Sequence, residues 1–190
     1  MNIRCRTEIR SGRVTAWVLL FLLFSTAVSR ADQTFTEYKV KALFLYNFAK
    51  YVDWPDGTFA NAKTPFTIGI LGKDRISDDL RGTVEGKTID GHPLIIKRVA
   101  SDGDFKDCQI IFVSNSENAA TEDIIARIGT MHILTVGEDS AFLEKGGCIN
   151  LVLKEEKVHL EVNLAAANKA ALKISSKLLA VAETVKGKAN

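Results

Sequence analysis

The sequence predicts a single α/β domain: a mostly parallel central sheet with helices on both faces, finished by a C-terminal β-hairpin plus helix. Three observations predict it. Short apolar runs (Phe66–Leu71, Leu94–Val99, Cys108–Val113, Met131–Val136) alternate with stretches of helical period, and such alternation builds a parallel sheet. The runs Cys108–Val113 and Met131–Val136 are apolar almost throughout, as strands covered on both faces are. Beyond Gly146-Gly147 the period changes to two: Val158, Leu160, Val162 and Leu164 alternate with His159, Glu161 and Asn163, the mark of a half-buried strand.

The elements follow in order. Thr34–Val52 reads as a helix whose inward stripe is Val40, Leu43, Phe44, Asn47, Phe48 and Tyr51. Thr34 or Thr36 caps its start, and Pro55 with Asp56-Gly57 ends it. Phe66–Leu71 is the first strand. Ile76–Val84 is a short helix entered from Asp74 or Ser77, Thr88–Pro93 a turn-rich connector, and Leu94–Val99 the second strand. After the third strand, Cys108–Val113, a helix over Glu117–Ile128 is capped near Ser116 and turns Ile124, Ile125 and Ile128 inward. Met131–Val136 is the fourth strand. Ser140–Lys145 is a helical turn. Cys148–Leu153 and Val158–Leu164 pair as an antiparallel hairpin with the polar tip Lys154-Glu155-Glu156-Lys157. Ala165–Val185 carries Leu172, Leu178, Leu179, Ala182 and Val185 at helical steps and reads as one long helix.

The N-terminus bounds where the domain works. Arg4, Arg6, Arg10 and Arg13 precede the apolar run Val14–Phe24, which ends in small residues through Ala31. Basic, apolar, then small residues make a secretory signal peptide, and a run this short falls below the ~20 residues of a permanent membrane span. Residues 1–31 are therefore expected to be removed after Ser29 or Ala31, with residues 32–190 as the exported domain; an uncleaved anchor is the alternative. No cysteine follows the run and no Arg-Arg pair precedes it, so neither lipidation nor the twin-arginine route is expected. Residues 1–31 hold five basic residues and one acidic. Subtracting them from 25 and 23 leaves 20 against 22, a net charge of −2. No basic face for nucleic acid remains.

Three cysteines occur, and Cys5 leaves with the signal. Cys108 and Cys148 remain in an oxidising compartment, where they either pair across neighbouring strands or stay as two buried thiols. Little else suggests chemistry. Gly69–Lys73 follows a strand and precedes a helix, yet matches neither the dinucleotide fingerprint nor the phosphate loop, so it reads as a tight turn. His92, His132 and His159 stand apart without metal-ligand spacing. Asp74, Asp78 and Asp79 are helix-start charges, and Asp102, Asp104 and Asp107 a solvated acidic loop rather than a calcium loop. No nucleophile elbow and no His-Glu-x-x-His occurs. No catalytic residue, metal ligand or cofactor is expected. What stands out is six aromatics in one helix and its exit: Tyr38, Phe44, Tyr46, Phe48, Tyr51 and Trp54. One stripe buries only part of a helix. Either the remainder is a partner surface, anchored near Tyr46, Tyr51 and Trp54, or the helix is covered on two sides with Trp54 as a plug.

The strings Tyr46–Pro55 (YNFAKYVDWP), Ile68–Gly72, Cys108–Val113, Ile133–Gly137 with Phe142 and Gly146-Gly147, and Val162–Leu164 with Lys173–Leu179 occur in one order. Together they resemble the YfiR family of secreted bacterial proteins, from about Tyr38 to Val185. The resemblance implies a compact α/β fold and a periplasmic protein without catalytic activity. It also implies a repressor that binds the periplasmic sensory part of an inner-membrane diguanylate cyclase, lowering cyclic-di-GMP and biofilm formation, and that an outer-membrane lipoprotein sequesters. Better-known relatives carry more cysteines than the two here, so redox control is not carried over. A small-ligand receptor is the alternative reading, since α/β sheets bind ligands at strand carboxyl ends. The oligomeric state, a homodimer included, is left open.

Overall fold

Ile68, Ile70, Ile110 and Phe112 point to one side of their strands and Leu71, Ile111 and Val113 to the other, the period of two that a pleated sheet imposes. Both sets are buried, so the sheet lies between two layers. The computed structural model describes residues 37–73 and 75–187. The expected signal peptide, residues 1–31, lies outside the described residues, as do Thr34, Thr36 and Asp74.

The first helix, α1, is helical over 37–51 and runs straight into β1 (Val52–Asp53). Then come β2 (Phe66–Leu71), α2 (Ser77–Val84), β3 (Thr88–Ile89), β4 (His92–Val99), β5 (Ile110–Val113), α3 (Thr121–Ile128), β6 (Leu134–Gly137), β7 (Ile149–Lys154), β8 (Lys157–Asn163), α4 (Leu164–Lys169), β9 (Lys173–Ile174), α5 (Ser176–Ala180) and β10 (Thr184–Lys186). The main sheet has eight strands in the order β10-β8-β7-β6-β5-β2-β4-β3. Neighbours from β4 through β7 are parallel, β7 and β8 form the expected antiparallel hairpin, and β1 pairs with β9 in a separate two-stranded ribbon. The α/β class and mostly parallel sheet are as the sequence predicts.

Four local expectations change. The stripe of α1 that enters the core is Lys41, Ala42, Leu45, Phe48 and Ala49, and Leu43 is 47% exposed. The connector Thr88–Pro93 is a tight hairpin, with Asp90 (φ 50°) and Gly91 (φ 87°) both left-handed; that is the geometry in which an Asp-Gly turn joins right-twisted strands. The helix expected over Glu117–Ile128 is two pieces. A 3₁₀ turn over Asn115–Glu117 is capped by Ser114, not Ser116, and α3 begins at Thr121. Within α3, Ile124 and Ile128 are buried and Ile125 half-buried.

The largest correction is the long helix over Ala165–Val185, which is α4, β9, α5 and β10. Asn163 caps α4 through Oδ1, which accepts from Ala166 N–H at 3.1 Å. The turn closes at Ala171 (φ 58°), with Leu172 N–H donating to Ala167 O at 2.9 Å, a six-to-one closure. Lys173 and Ile174 then pair with Asp53 and Val52, and Ser175 N–H donates to Tyr51 O at 3.0 Å. Ser175 starts α5 as its cap. Two serviceable N-caps and a waiting strand break what a helical period alone would continue.

Cys108 and Cys148 are both free and buried. Cys108 packs with Val99, Phe105 and Ile111, and Cys148 belongs to the cluster on the other face of the sheet. Of the two alternatives for these cysteines, the structure has the separate buried thiols, one in each cluster. Burial raises both thiol pKa values, that of Cys108 from the usual 9.0 to about 11. The folded state therefore favours the protonated Cys108 thiol. Its contribution to stability is complete below pH 9 and is lost as pH rises from about 9 towards 11. At pH 8 a thiol-specific chromogenic reagent should label neither cysteine over an hour in native protein lacking residues 1–31, and both in denaturant. Rapid native labelling of either would contradict this burial.

Candidate functional site

In open parallel sheets, ligands sit at strand carboxyl ends where the strand order reverses. Here the reversal lies between β2 and β5, since the chain leaves β2 towards β4 and leaves β5 towards β6. That crevice is filled by the protein itself. Gly72 turns the chain at φ 95° with Ser116 and Glu117 packed against its Cα. Lys73 N–H donates to Ser116 Oγ at 2.8 Å, and the Ser114 hydroxyl donates to Lys73 O at 2.7 Å. The Lys73 amide and carbonyl are thus both taken up by the loop that follows β5.

One strand further along, just past the end of β6, lies a group that sequence reasoning missed. Lys41 is among the largest fully buried side chains of the described residues, and it is charged. Its Nζ lies 2.7 Å from Glu138 Oε2 and 2.5 Å from Glu37 Oε1. Glu138 Oε1 accepts from Asn115 N–H at 3.1 Å. The Tyr38 ring lies 4.9 Å from the ammonium. Burial, then the charges of Glu138 and Glu37, push the Tyr38 hydroxyl up to about 12, against an opposing pull from Arg75. Two carboxylates therefore saturate the Lys41 ammonium. A nucleophilic lysine must be a neutral amine, kept so by an apolar or cationic neighbourhood, and this neighbourhood is anionic. The arrangement ties α1 to the carboxyl edge of the sheet. Glu37 could be paired with Lys41 from the sequence, four residues along a helix, but nothing local announces Glu138, 97 residues away.

The predicted partner residues lie at the other end of α1. Tyr46, Tyr51 and Trp54 are each half-buried and packed against the core, so they are core at one edge and surface at the other. Lys87 Nζ lies 4.2 Å and Lys50 Nζ 5.4 Å from the Tyr46 ring centroid. Trp54 meets Phe66 edge-on at 5.0 Å, and its indole N–H is buried without an acceptor. A shallow cleft of about 300 Å³ beside it is lined by Lys50, Asp53, Trp54, Phe59, Phe66 and Asp90, among others. Lys50 thus links the surroundings of Tyr46 and Trp54. Tyr51, five positions after Tyr46, emerges about 140° around the helix and joins the β9 side through its backbone carbonyl.

The histidines stay apart. His92 stacks on Phe59 at 3.9 Å, with Nδ1 2.7 Å from Thr64 O. His132 precedes β6 rather than lying in a strand and contacts Ala170 O at 2.9 Å. His159 Nδ1 lies 3.2 Å from Glu183 Oε2. Among the described residues no three His, Cys, Asp or Glu side chains gather as a metal site would require. A second hollow, about 460 Å³, lies between α3 and α4, lined by Ile125, Ile133, Cys148, Ala166 and Lys169, among others.

No curated protein matches this chain at a significant level. Two solved structures are similar at low identity. A conserved domain protein from Vibrio cholerae O1 biovar El Tor str. N16961 is 14% identical with a TM-score of 0.50, the match covering 63% of this chain and 54% of that one. An ABC domain in complex with L-Trp, from Streptococcus pneumonia, is 14% identical with a TM-score of 0.44, covering 63% and 55%. The chain spans about half the length of each, and the first shows likeness of fold alone. The family comparison reaches further. A model described as YfiR/HmsC-like matches residues 38–183, from the first turns of α1 to the threshold of β10, and on that match the chain belongs to the YfiR/HmsC-like family of periplasmic regulatory proteins.

Proposed function

We propose that this chain is exported through residues 1–31, and that residues 32–190 bind the periplasmic part of an inner-membrane diguanylate cyclase and hold it inactive, lowering cyclic-di-GMP and biofilm formation. The observation that carries this reading is the family match across α1 to α5. The site geometry supports it: the buried lysine is saturated by carboxylates, burial keeps both thiols protonated, and the reversal crevice is filled by its own loops. What is left to act is a surface.

A repressor works by binding the inactive receptor more tightly than the active one. Moving such a switch from mostly on to mostly off takes roughly 5 kcal/mol of differential affinity. About 800 Å² per partner with a few aromatic anchors supplies it. Tyr46, Tyr51 and Trp54 are the proposed anchors. An outer-membrane lipoprotein that covers the same surface would release the cyclase by competition.

Deleting the gene should raise cellular cyclic-di-GMP several-fold and increase surface attachment. The wild-type gene should reverse both, and a Tyr46→Ala variant exported at equal level should not, since truncating an interface aromatic costs about tenfold or more in affinity. Unchanged cyclic-di-GMP on deletion would overturn the proposal. The hollow between α3 and α4 favours a second reading, a receptor for a small ligand. A thermal-shift screen of small periplasmic metabolites, with saturable stabilisation as the positive result, tests it.

A further inference from the structure

Lys39, Leu43, Tyr46 and Lys50 follow one another on α1 at steps of four, three and four residues, so they form one stripe along the helix. It is the outward stripe: Lys39, Leu43 and Lys50 are exposed and Tyr46 is half-buried. Lys87, just before β3, brings a second ammonium group to the Tyr46 ring, beside that of Lys50. The other charged side chains of α1, Glu37 and Lys41, are consumed in the buried pair. Among the described residues Lys39, Lys50 and Lys87 form no ion pair, not even Lys87 with its chain neighbours Glu85 and Asp90. The stripe is therefore an apolar and aromatic centre, Leu43 and Tyr46, with three lysines outside any ion pair on its margin, and Asp53 and Asp90 lining the cleft beside Lys50. It stands on a domain whose net charge is −2, so the positive charge here is a local concentration.

Docking surfaces have this composition, aromatic at the centre and charged at the rim, and rim charges steer a partner of opposite sign. We propose that the Lys39–Leu43–Tyr46–Lys50 stripe, with Lys87, docks an acidic segment of the cyclase's periplasmic part, whose carboxylates meet the three lysines and whose apolar side chain covers Leu43. This rests on the function proposed above and adds the chemistry of the partner surface. A second copy of this chain fits poorly, because a two-fold contact through the stripe sets lysines against lysines. A lipid surface fits poorly too. Leu43 is the one large exposed hydrophobe of α1, too little to insert into a bilayer.

The test has two arms. In intact cells, a photoreactive amino acid at position 43 should cross-link to a peptide of the cyclase's periplasmic part. One at position 95, exposed on β4, should not. With protein purified from the periplasm, K39E/K50E/K87E should bind the isolated periplasmic part of that cyclase at least about tenfold more weakly. Binding should lose much of its salt dependence, thermal unfolding should be unchanged, and Asp or Glu→Lys replacements in the cross-linked peptide should restore affinity. Undiminished binding by the charge-reversed variant overturns this inference and leaves the proposed function standing. So does a cross-link from position 43 to phospholipid or to a second copy while wild-type protein still binds the cyclase. Failure of the wild-type protein to bind overturns both.

Discussion

Lys41→Met should be the most damaging single substitution on α1, costing about 3–5 kcal/mol of folding stability, because it leaves two carboxylates in a buried site without their counter-ion. Lys41 and Glu138 are each 2% exposed, and Glu37 is 14% exposed. The loss should be unequal between partners. Glu138→Gln leaves Lys41 its bond to Glu37 and leaves an oxygen for Asn115 N–H, so about 1–2 kcal/mol is expected there. A double variant, K41M/E138L, should recover much of the lost stability, since replacing a buried pair by apolar side chains of similar volume is often neutral. Urea unfolding of the three variants measures this. A double variant as unstable as Lys41→Met alone would show that the pair is not a closed unit.

Phe142→Ala should cost a similar amount, about 3–5 kcal/mol, through the cavity it opens. Phe142 is 1% exposed, in the turn between β6 and β7, and its ring packs directly against the backbone of both Gly137 and Gly147. A methyl group at either glycine would fall inside the ring. Gly147→Ala should therefore destabilise strongly in the wild type but far less in a Phe142→Ala background, where the space has been vacated. Neighbours that share one volume are non-additive in this way. Additive losses in a double-mutant cycle would mean that the ring moves aside at little cost. The contact matters beyond stability, because it sets the turn that carries Glu138 from the end of β6 towards Lys41.

How much of this could be read from the chain depends on how far each interaction reaches. Phe66–Leu71 was legible to the residue, and β5, β6 and the β7–β8 hairpin to within two or three, because strands covered on both faces must be apolar whatever their neighbours and the half-buried arm of the hairpin alternates with a period of two. The rotation of α1 was not legible. By period alone Leu43 belongs inside and Lys41 outside, and the structure reverses both. An exposed leucine costs a fraction of what an unpaired buried ammonium would, so the helix can turn Lys41 inward only because Glu138 awaits it just past the end of a distant strand. The C-terminal segment failed for a related reason. Residues 165–185 have a helical period, but Lys173 and Ile174 are taken by β1, a two-residue strand too short to announce itself. Ser175 was the local signal available, an N-cap in the middle of what looked continuous, while Asn163 only caps its start.

The candidate partner surface divides along the same line. Aromatic crowding in α1 and its exit marked the region from sequence. Only the fold showed that Lys87 reaches the Tyr46 ring from another element, and that Trp54 is fastened to Phe66.

By itself, the amino-acid order determined the α/β class, the buried strands, the polar hairpin tip and the isolation of each histidine, since these follow from local period, turn chemistry and the spacing of ligands. Tertiary structure decided which face of α1 is hidden, which thiol lies in which layer, and where the chain stops being helix. Those outcomes depend on charges and hydrogen-bonding edges supplied by residues far along the chain, and the free energy of a buried charge or an unpaired strand edge exceeds any local preference that opposes it.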